Sequence, residues 1–264
     1  VYSVFVGTGG SAVDQVGPGV PERWLGKRVW LYNGQRNGRW QGTAAEYIAL
    51  SADLVTELPD HVSFAEGATL GVPGMTAHRC VFVAGPIQGK TLLVTGGAGA
   101  VGHYAVQLAT WAGARVIATV SSAEKAERAR AGGAAHIIDY RREDFVAGGR
   151  QYDLILAANA YRPIRDYVKA LKANGIYVMT GGGGRQVLQA MTAGPLLSMT
   201  SGRKIGNLMA VSKGPDIRFL KELLEAGKIV PVIDRTYPLA GVPDAIRYME
   251  QEHARGKLII TVSG

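Results

Sequence analysis

Cysteine is nearly absent: Cys80 is the single one in 264 residues, so no disulfide can form within the chain. It lies in an apolar stretch close to Phe82, where a buried, inert thiol is expected rather than a nucleophile. The five histidines, at positions 61, 78, 103, 136 and 253, are scattered, and no C-x-x-C or H-x-x-x-H spacing supplies a zinc ligand set. No metal is therefore expected. Apolar runs are broken by glycine or charge well short of the ~20 residues that a membrane-spanning helix needs. The first residues also lack the basic start and cleavage site of a signal peptide, so no membrane association and a cytoplasmic location are expected. Net charge is +8, but the basic residues are spread along the chain. They form no block of about five to eight, so a nucleic-acid partner is not expected. A positive field would equally draw in a polyanionic cofactor.

Glycine, in contrast, is abundant, with 36 residues against an apolar content of 47%. The chain is organised around KTLLVTGGAGAVGHYAVQLATWAGARVIATV, from Lys90 to Val120. Thr91 to Thr95 is a short apolar run without alternation, as a parallel strand buried on both faces requires. Gly97, Gly99 and Gly102 complete a G-x-G-x-x-G turn. A helix follows with Val101, Ala105, Leu108 and Ala109 on one face, and Val116 to Val120 reads as the next strand. In such a unit the first glycine permits a tight turn. The second lets backbone N–H groups approach a pyrophosphate, and the third lets helix and strand pack closely. The phosphates would sit on the helix N-terminus.

The end of the second strand bears on the choice of dinucleotide. An acidic residue there accepts hydrogen bonds from a ribose 2′-hydroxyl, whereas this chain has Ser121 and Ser122, with Lys125 one helical turn further on. Hydroxyls and an ammonium suit a 2′-phosphate, so NADPH is expected over NADH. Either serine is also a fitting N-cap for a helix beginning at Ala123.

Elsewhere the spacing predicts strands over Val1–Val6, Arg28–Tyr32 and Tyr47–Leu50, with Val16–Val20 as a turn. Ser63 and Glu66 have capping-box spacing, and Pro73 is expected to divide 63–83 into two helices. After the glycine unit, strands are predicted at Ala135–Tyr140, Tyr152–Ala157, Gly175–Thr180 and Lys204–Ala210. Helices are predicted over Arg165–Lys172, from an Asp216 cap to Ala226, and over Pro243–Glu252. Val232–Leu239 and Lys257–Val262 read as further strands, the last of them interior. This alternation argues for an α/β fold with a doubly wound parallel sheet.

Several stretches together resemble the zinc-independent medium-chain dehydrogenase/reductase superfamily, in its quinone oxidoreductase (zeta-crystallin-like) branch. They are VGPGV (16–20), GVPGMTAHRC (71–80), VTGGAGAVGHYAVQLA (94–109), VSSAEKAERARAGGAAHIIDYRREDF (120–145) and HARGKLIITV (253–262). The resemblance implies a Rossmann NADPH-binding domain over 71–229 and a GroES-like β-rich domain built from 1–70 and 230–264. The cofactor would lie between the two. It also implies that Thr76 lies near the nicotinamide and Gly99, Ala100 and Val101 at the pyrophosphate. Ser121, Lys125 and Tyr140 would surround the 2′-phosphate, with Asn159 and Gly181, Gly182 and Gly183 beside the ribose and nicotinamide, and Lys257 reaching in from the closing strand. Read without the resemblance, Tyr140 is equally a strand-end aromatic, Asn159 a turn residue, and 181–184 a flexible glycine loop.

Two departures from the family pattern stand out. The positions of a zinc-dependent relative's His and Glu fall on Gly7 and Thr8, neither of which binds zinc. The family also carries several tens more residues near its N-terminus, so the substrate side is expected to be incomplete here. The expected activity is hydride transfer from NADPH to a quinone or other conjugated carbonyl, with an enoyl or 2-alkenal reductase as the neighbouring alternative. A non-catalytic NADPH- or RNA-binding relative is the alternative from another class. No acid or base can be named from the sequence, and a homodimer paired through the edge at Lys204–Ala210 is expected by resemblance.

Overall fold

The computed structural model describes residues 2–4, 8–32, 42–83, 85–207, 214–252 and 256–262. Parts of three expectations therefore lie outside the described residues: Val1, Phe5 and Val6 of the first strand with Gly7 beside them, 208–210 of the edge strand, and His253 of the closing motif. In chain order the elements begin with strands β1 (Tyr2–Val4), β2 (Thr8–Ala12), β3 (Arg28–Leu31) and β4 (Val55–Glu57), then helix α1 (Phe64–Val81). Next come β5 (Thr91–Thr95), α2 (Gly102–Trp111), β6 (Arg115–Val120), α3 (Ala123–Ala131), β7 (His136–Asp139) and β8 (Tyr152–Ala157). They continue with α4 (Ile164–Ala170), β9 (Leu171–Met179), α5 (Gly184–Ser201) and β10 (Lys204–Asn207). The chain closes with α6 (Gly214–Glu225), β11 (Ile233–Pro238), α7 (Val242–Glu252) and β12 (Lys257–Thr261).

Two compact units result: Val1–Met75 with Val211–Gly264, and Thr76–Ala210. The first holds a six-stranded sheet ordered β11-β12-β1-β2-β3-β4, antiparallel except for the β11/β12 pair. Strand β12 lies inside that sheet, and Leu258, Ile259 and Ile260 are buried, which is why its sequence shows no alternation. Arg28 at the start of β3 fastens the loop after β4 by donating to the carbonyls of Pro59, Asp60 and Val62 at 3.1, 2.8 and 2.5 Å.

The second unit is a six-stranded, wholly parallel sheet ordered β10-β9-β8-β5-β6-β7. Strand order reverses on either side of β5, the arrangement of a doubly wound Rossmann sheet, in which the crevice beyond the strands' carboxyl ends receives ligands. One face is filled by Leu93, Ile117, Ile138, Ile155, Tyr167 and Tyr177 among others. Asp153 ties the sheet together at its other end, accepting from the Thr91 amide and the Lys172 ammonium, each at 2.8 Å.

Four expectations need correction. The stretch 63–83 holds one helix, Phe64–Val81, with Pro73 inside it, not two. Proline there costs about 3 kcal/mol, but Ala68, Leu70, Met75, Ala77, Cys80 and Val81 are all buried, and that burial outweighs it. The capping box holds as expected: Glu66 N donates to Ser63 Oγ, and Ser63 N donates back to Glu66 Oε2 at 2.8 Å. Tyr47–Leu50 is not a strand: β4 pairs with β3, and 47–50 carries no regular structure. Asp216 lies in the first turn of α6 rather than capping it, where its charge suits the positive end of the helix dipole. Leu171 and Lys172 belong to β9, so the helix before them ends at Ala170.

Candidate nucleotide-binding site

The carboxyl ends of β5, β6, β7, β8 and β9 bring most of the expected site residues to one edge of the second unit. After β5, the glycine turn is shaped by what a side chain would strike. A Cβ on Gly97 would lie 2.6 Å from Ala118 Cβ in β6, and one on Gly102 would lie 2.0 Å from the Gly96 carbonyl oxygen. A Cβ on Gly99 would meet only the Gly96 oxygen, at 3.2 Å. The left-handed residue that reverses the chain is Gly96, with φ +70°, so the turning role expected of Gly97 belongs to its neighbour. Gly97 is required instead for close packing on β6.

Helix α2 then starts with Val101 at its cap and no side-chain hydrogen bond there. The start of α2 thus has no capping side chain, and the His103 amide donates to the Gly99 carbonyl at 3.0 Å; a helix N-terminus of this form suits an anion. His103, in the first turn and buried, has Nδ1 3.1 Å from the Gly99 carbonyl oxygen and so braces the turn. Sequence reasoning passed over His103; its place directly after the third glycine was the available signal.

The two serines after β6 have separate tasks. Ser122 caps α3, its Oγ accepting from Lys125 N at 3.2 Å, while Lys125 Nζ donates to Ser121 Oγ at 3.4 Å. Capping and the contact with the Lys125 ammonium are thus divided between neighbours. Beyond β7, Tyr140 is exposed at 36%, and its amide donates to the Val120 carbonyl, which sets it beside Ser121. Arg141 is occupied by Asp139: its amide and guanidinium hold that carboxyl below the usual range. Beyond β8, Asn159 is fixed by its backbone, donating to the Thr95 carbonyl and accepting from Thr95 Oγ1 at 2.8 Å, with its side chain left exposed. Gly181 and Gly182 form a bridge with Ala160, and a Cβ on Gly181 would lie 2.4 Å from the Ala158 oxygen. The loop is therefore pinned by close backbone packing rather than flexible. Gly183 is the N-cap of α5, an 18-residue helix the sequence reading missed.

Two expected residues lie on other elements. Thr76 is buried within α1. Lys257 opens β12 in the other unit, where burial lowers its ammonium to about 8. Among the described residues no group of three or more His, Cys, Asp or Glu could hold a metal ion, and no helix is long and apolar enough to cross a membrane.

Comparison with known proteins meets this geometry. Residues 132–260 match the family model of the zinc-binding dehydrogenases. The chloroplast envelope quinone oxidoreductase homolog of Arabidopsis thaliana is 30% identical over 259 residues, covering 94% of this chain and 76% of that protein. The chain belongs to the quinone oxidoreductase-like medium-chain dehydrogenase/reductases. A 2-methylene-furan-3-one reductase of Solanum lycopersicum is 35% identical over 222 residues, 83% of this chain but only 52% of that protein, so the chain spans about half its length. The solved quinone oxidoreductase from Coxiella burnetii superposes with a TM-score of 0.83 at 27% identity, over 96% of this chain and 78% of that one. This family member carries a doubly wound parallel sheet with a glycine turn after β5.

Proposed function

We propose that this chain is an NADPH-dependent reductase of quinones or other conjugated carbonyls. The observation that carries the reading is the pairing of an uncapped helix N-terminus behind Gly96–Gly102 with a Ser121–Lys125 pair at the end of β6. The glycine cradle fits a pyrophosphate, because Gly99 has open room outward where Gly97 and Gly102 are packed solid. Ser121 and Lys125 fit a 2′-phosphate, since a carboxylate there would repel it and an ammonium attracts it. When bound, the nicotinamide supplies a hydride. The chain's own part is to bind and orient: the α2 amides at the pyrophosphate, Ser121, Lys125 and Tyr140 at the 2′-phosphate, Asn159 and the loop Gly181–Gly183 beside the nicotinamide half. Thr76 and Lys257 are kept in the proposal by family resemblance alone.

A quinone and an exocyclic enone, the acceptors in the names of the Arabidopsis and tomato relatives, are both conjugated carbonyls that need little further polarisation. Steady-state NADPH oxidation with a panel of quinones and enones tests this. Turnover with either class supports the reading; cofactor binding with no acceptor turned over would favour a binding module instead, and salt-sensitive RNA association would favour a nucleic-acid role. We also propose a homodimer built on β10, which is the sheet edge and lies beside α5 with its exposed Leu188, Met191, Leu196 and Met199. Sedimentation showing a monomer at working concentration would overturn that assembly.

A further inference from the structure

The loop after β8 carries an aromatic residue that no expectation assigned. Tyr161 crosses the carboxyl ends of the strands to lie against Tyr140, with ring centroids 4.7 Å apart and planes tilted by 32°. The order β8-β5-β6-β7 means that it spans two strands to do so. Its other side meets Phe145 edge-on at 6.3 Å, and Phe145 stacks in turn on Tyr167 at 5.4 Å. The Tyr161 hydroxyl lies near the buried Thr119 side chain, and Thr119 Oγ1 accepts from the Gly96 amide at 3.4 Å. One residue thus lies between the glycine turn's support, the end of β6 and the aromatic ring of Tyr140.

The backbone under this ring is held as firmly. Tyr167 Oη accepts from the amides of both Tyr161 and Arg162, at 3.1 and 3.4 Å. Arg162 bridges Asp144, in the loop after β7, at 2.9 Å and Asp166, in α4, at 2.8 Å. The loops after β7 and β8 are therefore latched to each other. Tyr140, 36% exposed, meets that latch through the Tyr161 ring.

We propose that Tyr161 is a positioning residue that holds the Tyr140 ring in place for the 2′-phosphoadenosine end of the dinucleotide, as one wall of an aromatic platform. This rests on the NADPH reading of the same site. Adenine is a flat π-system, and an aromatic platform pre-set in one orientation binds it with less loss of side-chain freedom than a mobile ring. The inference concerns the adenosine half alone, so the nicotinamide half should be indifferent to it.

Calorimetric titration of the full chain with 2′,5′-ADP and, separately, with reduced nicotinamide mononucleotide provides the test. Tyr161→Leu removes the ring; it is expected to weaken 2′,5′-ADP about tenfold and to leave the mononucleotide unchanged. Tyr161→Phe keeps the ring and is expected to restore 2′,5′-ADP to within about threefold of the native chain. Thr119→Val, nearly isosteric, removes the hydroxyl beside the Tyr161 ring and probes the same contact if Tyr161→Leu does not fold, with an expected loss of about threefold. Unchanged 2′,5′-ADP affinity in Tyr161→Leu, or in Thr119→Val if that chain stands in for it, overturns the positioning role and leaves the NADPH reading intact. Equal loss of both ligands overturns it in favour of general loosening. Failure of the native chain to bind 2′,5′-ADP overturns both readings together.

Discussion

Adding one methyl group at Gly102 and one at Gly99 should separate the fold of the glycine turn from its ligand chemistry. At Gly102 the new carbon would sit 2.0 Å from the Gly96 oxygen, 2.8 Å from its carbonyl carbon and 3.0 Å from Gly97 Cα. All three are backbone atoms, so relief requires the turn itself to move by about 1 Å. Overpacking of this kind costs about 1–3 kcal/mol. Replacing glycine at a helix start returns at most ~1 kcal/mol. A net loss of about 1–2 kcal/mol is expected for Gly102→Ala, or a Tm lower by about 2–8 °C for a chain of this size. At Gly99 the sole close contact is the Gly96 oxygen at 3.2 Å, which a small shift relieves. Gly99→Ala should therefore change stability by less than ~1 kcal/mol. Its methyl nevertheless enters the space through which a phosphate approaches the amides. Losing one charge-assisted hydrogen bond costs about 1.5–3 kcal/mol, or roughly ten- to a hundredfold in affinity. Thermal unfolding and NADPH titration of both variants are the assays. Native-like NADPH affinity in Gly99→Ala would refute the cradle, and native-like stability in Gly102→Ala would refute the packing argument.

Two further outcomes follow from buried titratable groups. Burial holds the Lys257 ammonium at about 8, below its ordinary 10.5, so the unfolded chain binds more protons between those values. Stability from this residue thus rises as pH climbs from about 8 to 10.5 and carries its full penalty below 8. Lys257→Met should stabilise the chain at neutral pH by about 1–2 kcal/mol, since the side chain keeps partial exposure, and the gain should vanish by pH ~10.5 in denaturant titrations. Burial likewise pushes the Cys80 thiol up to about 12. Native protein should accordingly leave a thiol reagent unreacted at neutral pH, and stoichiometric labelling should appear only on unfolding.

Much of the second unit was legible because local signals and the sheet agreed. Thr91–Thr95, Tyr152–Ala157 and the helix capped by Ser122 follow directly from runs without alternation and from capping chemistry. What escaped had weak or conflicting local signals. Helix α5 contains Gly194 and Pro195, and only Ala190 and Gly194 are buried, while Leu188, Met191, Leu196 and Met199 face outward. No single apolar stripe marks such a helix, because its apolar residues are not gathered on the face toward the core. Pro73 misled for the opposite reason: its local signal was strong, and long-range burial of α1 overrode it. Around the glycine turn, motif spacing marks Gly97, Gly99 and Gly102, whereas Gly96, His103 and Tyr161 enter through tertiary contacts. A left-handed φ beside the motif, a ring nitrogen on a turn carbonyl and a ring spanning two strands leave no periodic mark in the chain.

The central claim is that the end of β6 is built for a 2′-phosphate. Equilibrium dissociation constants for NADPH and NADH, measured on the same native chain at one ionic strength, test it most directly. Charge-assisted hydrogen bonding from Lys125 and Ser121 predicts NADPH tighter by about ten- to a hundredfold, with the preference lost in Lys125→Met. Equal affinities, or tighter binding of NADH, would contradict it.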